Sequence, residues 1–216
     1  MTTTGPDRPV TRVERKERTR RAILDAALDL CDDSSLVALS LRQVAKEVGI
    51  VPTAFYRHFD SIEALGLALV DESFESLRAM LRDVRRGDPE DLAFGDIVDR
   101  SITVLVDHVH RQRAHFRFIA RERAAGPPAV REAIRHEIEL CERELALDLA
   151  RLPGTGPWSA DDLRVLSNLI VSAMVATAES VLEAGQSPGD EAHVVATART
   201  QLRMVLIGAL HWRSRG

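Results

Sequence analysis

The sequence has little that would serve as catalytic or metal-binding chemistry. It contains two cysteines in 216 residues. Cys31 and Cys141 lie far apart with no CxxC spacing, which excludes a disulfide framework and a zinc site and leaves two thiols in helical patterns, where burial is the default. His108 and His110 are two positions apart, so on a helix they diverge and make a poor metal pair. No GxSxG, HExxH or Walker pattern is present. No enzyme activity, cofactor or metal is therefore expected. No apolar run approaches the roughly 20 residues that a bilayer span needs, and the first residues lack the apolar stretch of a signal peptide. A cytoplasmic protein with no membrane partner is expected. Aromatic residues are also scarce, at 4%.

What is abundant is helix-forming and amphipathic. The chain is 45% hydrophobic and 29% charged, enough for a core and a hydrated surface. Ala, Leu, Arg and Glu dominate, and Val and Ile fall mostly in helical spacings. These features predict an all-α fold of about nine helices. The net charge is −4, but its distribution is uneven. Between Arg8 and Arg21 stand Arg8, Arg12, Arg15, Lys16, Arg18, Arg20 and Arg21, opposed only by Glu14 and Glu17. Such a segment fits a polyanion partner or a solvated tail.

Residues 1–10, rich in Thr, Gly, Pro and charge, read as a disordered basic arm. A first helix is expected from about Val10 to Asp32, with Ile23, Ala26, Ala27 and Leu30 on one face. Ser40 and Gln43 form a capping-box pair ahead of Leu41, Val44, Ala45 and Val48. Gly49 stands where a left-handed C-cap belongs. Pro52 suits the first turn of a short helix to Phe59. Ser61 is the next N-cap candidate, heading a helix to about Arg86. Gly87-Asp88-Pro89 is a break, and further helices are expected at about 91–111, 113–124, 128–151, 159–185 and 190–213.

Two short helices joined by a tight glycine turn, over Ser40–Phe59, place the second helix in the major groove of DNA when they form a helix-turn-helix. Phe55 and Phe59, four apart, anchor that helix to the core, and Thr53, Tyr56 and Arg57 then face outward. Thr suits base edges or thymine methyls. Tyr56, Arg57 and His58 can donate to phosphates, and Arg42 reaches a phosphate or a guanine edge. Arg12, Arg15 or Lys16 would lie along the backbone or in the minor groove. The alternatives are a half-buried core role for Tyr56 and a surface or capping role for His58.

The block Gly49 to Phe59, with a glycine turn and a short helix ending Tyr56-Arg57-His58-Phe59 before a long helix, resembles the DNA-binding domain of the TetR family of repressors. The resemblance implies Arg42, Pro52 and Thr53 near bases, Tyr56, Arg57 and His58 at phosphates, and an operator of double-stranded DNA. It divides the chain into the arm at 1–10, a helix-turn-helix domain at 11–60 and a ligand-binding and dimerisation domain at 61–216. One departure is Ile62, which stands where the family usually has a phosphate-contacting Lys. A helix N-terminus there can still donate N–H groups.

Further segments (Glu63–Glu72, His115–Arg123, Gln201–Met204 and His211-Trp212) resemble the subgroup that represses unsaturated fatty-acid synthesis and desaturase genes. That likeness implies a long-chain acyl-CoA or acyl-carrier-protein effector. An acyl chain needs an apolar tunnel, for which Phe94, Ile102, Leu105, Phe116, Ile170 and Met174 are candidate walls or ordinary core. Its head group needs cations, for which Arg117 and Arg121 (with Arg123 nearby) are candidates, as they equally are for structural ion pairs. The resemblance also implies a homodimer through the last two helices, where Leu163, Leu166, Ile170, Ala173 and Thr177 form one apolar stripe and Val194, Ala198, Leu202, Val205 and Ala209 the other, with packing inside one chain as the alternative. The rival expectation is a regulator of the same fold responding to an unrelated apolar compound such as a drug.

Overall fold

The computed structural model describes residues 11–85, 94–151, 158–184 and 188–214, with the side chains at 82–85, 94, 95 and 188 outside the description. The basic arm, the Gly87-Asp88-Pro89 break and the Phe94 side chain therefore lie outside the described residues. Among those described, the chain forms nine α-helices and no strand, in agreement with the expected all-α class: α1 (Arg12–Leu30), α2 (Leu41–Val48), α3 (Pro52–Phe55), α4 (Ile62–Arg85), α5 (Phe94–Arg111), α6 (Arg113–Ala125), α7 (Pro128–Leu149), α8 (Ala160–Glu183) and α9 (Pro188–Leu210). A 3-10 turn, Leu36–Ala38, joins α1 to α2.

Hydroxyl caps start the helices that begin the chain. Thr11 and Glu14 exchange a capping box at the head of α1, at 2.6 and 3.2 Å. Ser40 and Gln43 do the same for α2, at 2.8 and 3.2 Å. Gly49 ends α2 at φ +72°, the left-handed conformation for which a side chain carries a steric cost. The chain re-enters α3 immediately. α3 is shorter than the sequence predicts: beyond Phe55 it tightens, with the Arg57 and His58 N–H groups reaching back three residues to Ala54 and Phe55 at 3.2 and 2.8 Å. Ser61 caps α4, accepting the Ala64 N–H at 3.0 Å.

One apolar core runs through the first part of the molecule. Ile23 and Ala27 of α1, Cys31 just past its end, Val44 of α2, Phe55 and Phe59 pack with Leu65, Leu69 and Phe74 of α4, Phe118 of α6 and Ile134 of α7. Gly66 of α4 sits where a Cβ would lie 2.2 Å from Leu36 Cδ2, so a side chain there would displace the Leu36 tip from its buried seat. Further clusters join α5 to α8 and α9, through Val98, Ile102, Ala198 and Leu202 and through Leu105, Val109, Ala178 and Val181. Ion pairs fasten α5 to α9, with Asp99 taking Arg203 at 2.6 Å and Arg199 at 3.4 Å.

Two features of α8 and α9 correct the sequence reading. α8 does hold an apolar stretch long enough to cross a bilayer by length and composition, with a mean hydropathy of 1.7 over 18 residues. It packs against α5, α6, α7 and α9. The stripes picked out by periodicity are in large part used within the chain: Leu166, Thr177, Ala198 and Leu202 are buried and the other six residues are half-buried. The exposed apolar residues lie on the adjoining stripes, with Leu169 49%, Met204 68% and Ile207 59% exposed.

Candidate DNA interface and effector cavity

The short α3 is held by its two phenylalanines. Phe55 is fully buried and Phe59 nearly so, their ring centroids 5.9 Å apart. Burying a Phe is worth about 1.5–3 kcal/mol, so α3 is fixed by packing rather than by its own hydrogen bonds. α1 grips it from behind. The Arg20 guanidinium lies 4.3 Å from the Phe59 ring centre, and its Nη1 donates to the His58 carbonyl at 3.3 Å.

With the phenylalanines turned inward, Pro52, Thr53, Tyr56 and Arg57 are exposed, as are Arg42 on α2 and Arg12 and Lys16 on α1. Tyr56 is 57% exposed, which sets aside its half-buried alternative. His58 is half-buried and its Nδ1 is enclosed with no partner among the described residues. Burial first, then the charges of Lys16 and Arg20, push its pKa below 6.5. His58 thus sits as a neutral ring among cations, beside the exposed group rather than within it.

Behind this layer lies a cavity of about 300 Å³ between α4, α5, α6, α7, α8 and α9. Its wall is overwhelmingly apolar, including Phe74, Leu77, Leu145 and Leu182. Of the residues expected from sequence, Leu105, Phe116, Ile170 and Met174 line it. Ile102 does not, because it is fully buried in the α5–α9 cluster. Arg117 and Arg121 do not line it either, and this corrects their assignment to a ligand head group. Arg117 Nη1 reaches both carboxylate oxygens of Asp32 at 2.5 Å, and Arg121 Nη1 donates to the Cys31 carbonyl at 2.7 Å. Arg123 is on the wall, but paired with Glu179 at 3.1 Å.

The profile of the tetR family of bacterial regulatory proteins matches residues 23–69, and that of the tetracyclin repressor-like C-terminal domain matches residues 94–208. The chain belongs to the tetR family. Solved structures agree on the fold. A putative transcriptional regulator from Pseudomonas aeruginosa PAO1 superposes with a TM-score of 0.70 at 15% identity, covering 94% of this chain and 96% of that one. GusR of Salmonella enterica gives 0.67 at 22% identity, covering 92% and 99%. A transcriptional regulator from Aquifex aeolicus VF5 gives 0.64 at 15% identity, covering 87% and 99%. As a tetR-family protein the chain is a DNA-binding transcriptional regulator.

In this tetR protein, α6 stands between the two regions. One side of the helix, with Phe116, Ile119, Ala120 and Arg123, forms cavity wall. The other side holds the end of α1 and the 3-10 turn. Besides Arg117 and Arg121, the buried Glu122 accepts the Leu36 N–H at 2.9 Å and the Ser35 hydroxyl at 3.2 Å. Burial and the Glu122 carboxylate push the neighbouring Cys31 thiol up to about 12, which keeps it protonated and inert. A second chain of contacts ties α6 to α4 and α1. His115 Nδ1 meets the Ser73 hydroxyl at 2.9 Å, His115 Nε2 lies 3.7 Å from Glu72, and Glu72 takes Arg21 at 2.6 Å. Sequence reasoning missed Glu122 and His115. Within Arg121-Glu122-Arg123 a carboxylate reads as a surface ion pair, and only the partner across the fold reveals its burial.

Proposed function

We propose that the protein is a homodimeric repressor that binds a palindromic operator with α3, at half-sites about one helical turn apart, and answers to an apolar effector held in the cavity. The observation that carries this reading is the double role of α6, which is wall to an apolar cavity on one side and the grip on the DNA-binding region on the other. An occupant that shifts α6 changes the pose of α1 and the turn before α2, together with α4. It then changes operator affinity by the difference in its own affinity for the two poses. Base contacts would come from Arg42, Pro52 and Thr53, phosphate contacts from Tyr56, Arg57, Arg12 and Lys16, with His58 supporting them. The exposed Leu169, Met204 and Ile207 on α8 and α9 are suited to pack against a second copy as a four-helix bundle. A protein acting on operator DNA acts in the cytoplasm.

For the effector, a long-chain acyl thioester regulating lipid genes is the first reading. The apolar wall suits the acyl chain, and Arg123 is the only expected head-group cation that lines the cavity. The pairing of Arg123 with Glu179 favours a second reading, an uncharged apolar compound such as a drug. A thermal-shift series of acyl-CoAs against uncharged apolar compounds, followed by mobility shifts on the protein's own promoter region, separates them. Stabilisation by acyl-CoAs together with a change in operator binding supports the first, and stabilisation by uncharged compounds alone supports the second. Failure to shift that DNA at low salt would overturn the operator-binding reading.

A further inference from the structure

Helix α3 breaks a rule that its neighbours obey. Thr11, Ser40 and Ser61 each place a hydroxyl at the head of α1, α2 and α4, and each accepts a backbone N–H. At the same place in α3 stands Val51, in extended conformation (φ −74°, ψ 147°) with no side-chain cap bond. Valine is among the poorest N-caps and serine among the best. Val51 gains nothing from burial in exchange, since it is 64% exposed. A local rule broken without a packing return belongs at a functional surface. The residue is followed by the exposed Pro52 and Thr53, so its two methyl groups stand at the end of α3 that the proposed function puts into the groove. The apolar feature on the major-groove edge of a base pair is the C5 methyl of thymine.

We infer that Val51 is a specificity-determining residue that reads a thymine methyl in each operator half-site. This rests on α3 being the reading helix, and the test below separates the two claims. Burying one methyl is worth a few-fold in affinity, small enough to leave general DNA binding intact and large enough to set a base preference.

The test uses the full-length protein and an operator obtained by selection from random duplex. Each dT is replaced in turn by deoxyuridine, which removes the methyl and leaves pairing unchanged. The wild type should lose about fourfold in affinity at one symmetric pair of positions. Val51→Ala and Val51→Ser should bind dT and dU forms equally. Val51→Ser is the informative variant, because its hydroxyl supplies the missing cap: its melting temperature should hold or rise while methyl discrimination disappears. A merely structural Val51 would not move these two readouts apart. Thr53→Ser, which removes the other methyl in reach, should retain the discrimination. The inference is overturned if the wild type shows no dU-sensitive position, if Val51→Ser keeps the wild-type ratio, or if Thr53→Ser rather than Val51→Ser abolishes it. Failure of the underlying interface reading looks different, since Arg57→Ala would then leave operator affinity unchanged.

Discussion

The carboxylate of Glu122 accepts the backbone N–H of Leu36 at 2.9 Å, with both residues fully buried. A side chain of α6 thus completes the hydrogen bonding of the turn between α1 and α2. Replacing it with Ala strands that N–H, which costs about 1–3 kcal/mol. Glu122→Ala should therefore lower the unfolding free energy by that amount, read as a lower urea midpoint at unchanged slope, and Glu122→Gln, which keeps one acceptor, should lower it by less.

Gly126 abuts the same side chain. A Cβ there would lie 2.6 Å from the Glu122 carbonyl oxygen and 2.7 Å from its Oε2. Backbone cannot swing aside as a side-chain tip can, so Gly126→Ala should cost about 1–3 kcal/mol as overpacking. Thermal melts of the two proteins check this, and a variant as stable as the parent would contradict the geometry.

Phosphate contacts and base contacts leave different signatures in salt. Arg57→Ala, which removes one phosphate contact from each of two protomers, should weaken operator and random duplex alike and reduce the slope of log K against log salt by about 2. Thr53→Ala should leave that slope unchanged and narrow the gap between operator and random DNA. Fluorescence anisotropy over a range of salt concentrations measures both.

Ile207 and Met204 are exposed on α9 at the surface proposed for a partner copy. Ile207→Asp should place a charge in that contact and give a monomer by sedimentation, with the helix content retained. Its affinity for a two-half-site operator should fall towards that for a single half-site.

Three histidines resist protonation in the folded chain. Burial is the leading cause at His58, His108 and His115, and each has its pKa pushed below 6.5. At His115 the Glu72 carboxylate works against burial without reversing it. The unfolded chain therefore takes up protons that the native chain refuses. This part of the stability is complete above about pH 6.5 and is lost as pH falls through the native values. Melting temperatures should drop on acidification below that point, and His108→Asn with His115→Asn should flatten the drop. An unchanged slope in the double variant would rule these rings out as its source.

Sequence was sufficient wherever a local rule and the final environment coincide. Ser40, Gln43 and Gly49 cap α2 through neighbours three to five residues away, so their roles are written in spacing. Phe55 and Phe59 are legible for the same reason. The end of α3 is not, because it is set by packing at Phe59 and by Arg20 reaching from α1. Arg117 and Arg121 illustrate the wider limit. Helical spacing correctly puts them on one side of α6, but nothing local says whether that side meets a cavity or the end of α1. The same holds for α8 and α9, where periodicity finds an apolar stripe and cannot tell a stripe turned inward from one left for a partner.

The hydropathy of α8 bears on how the chain is made. When Ala160–Glu183 leaves the ribosome, the helices that will cover much of it, α5, α6 and α7, have already been synthesised, while α9 has not. For that interval a segment greasy enough for a translocon has only a partial shelter. Closure of α5–α7 around it would cover much of that apolar surface before α9 arrives. Substitutions that loosen those earlier helices should then reduce yield in cells by more than they reduce the stability of the finished protein.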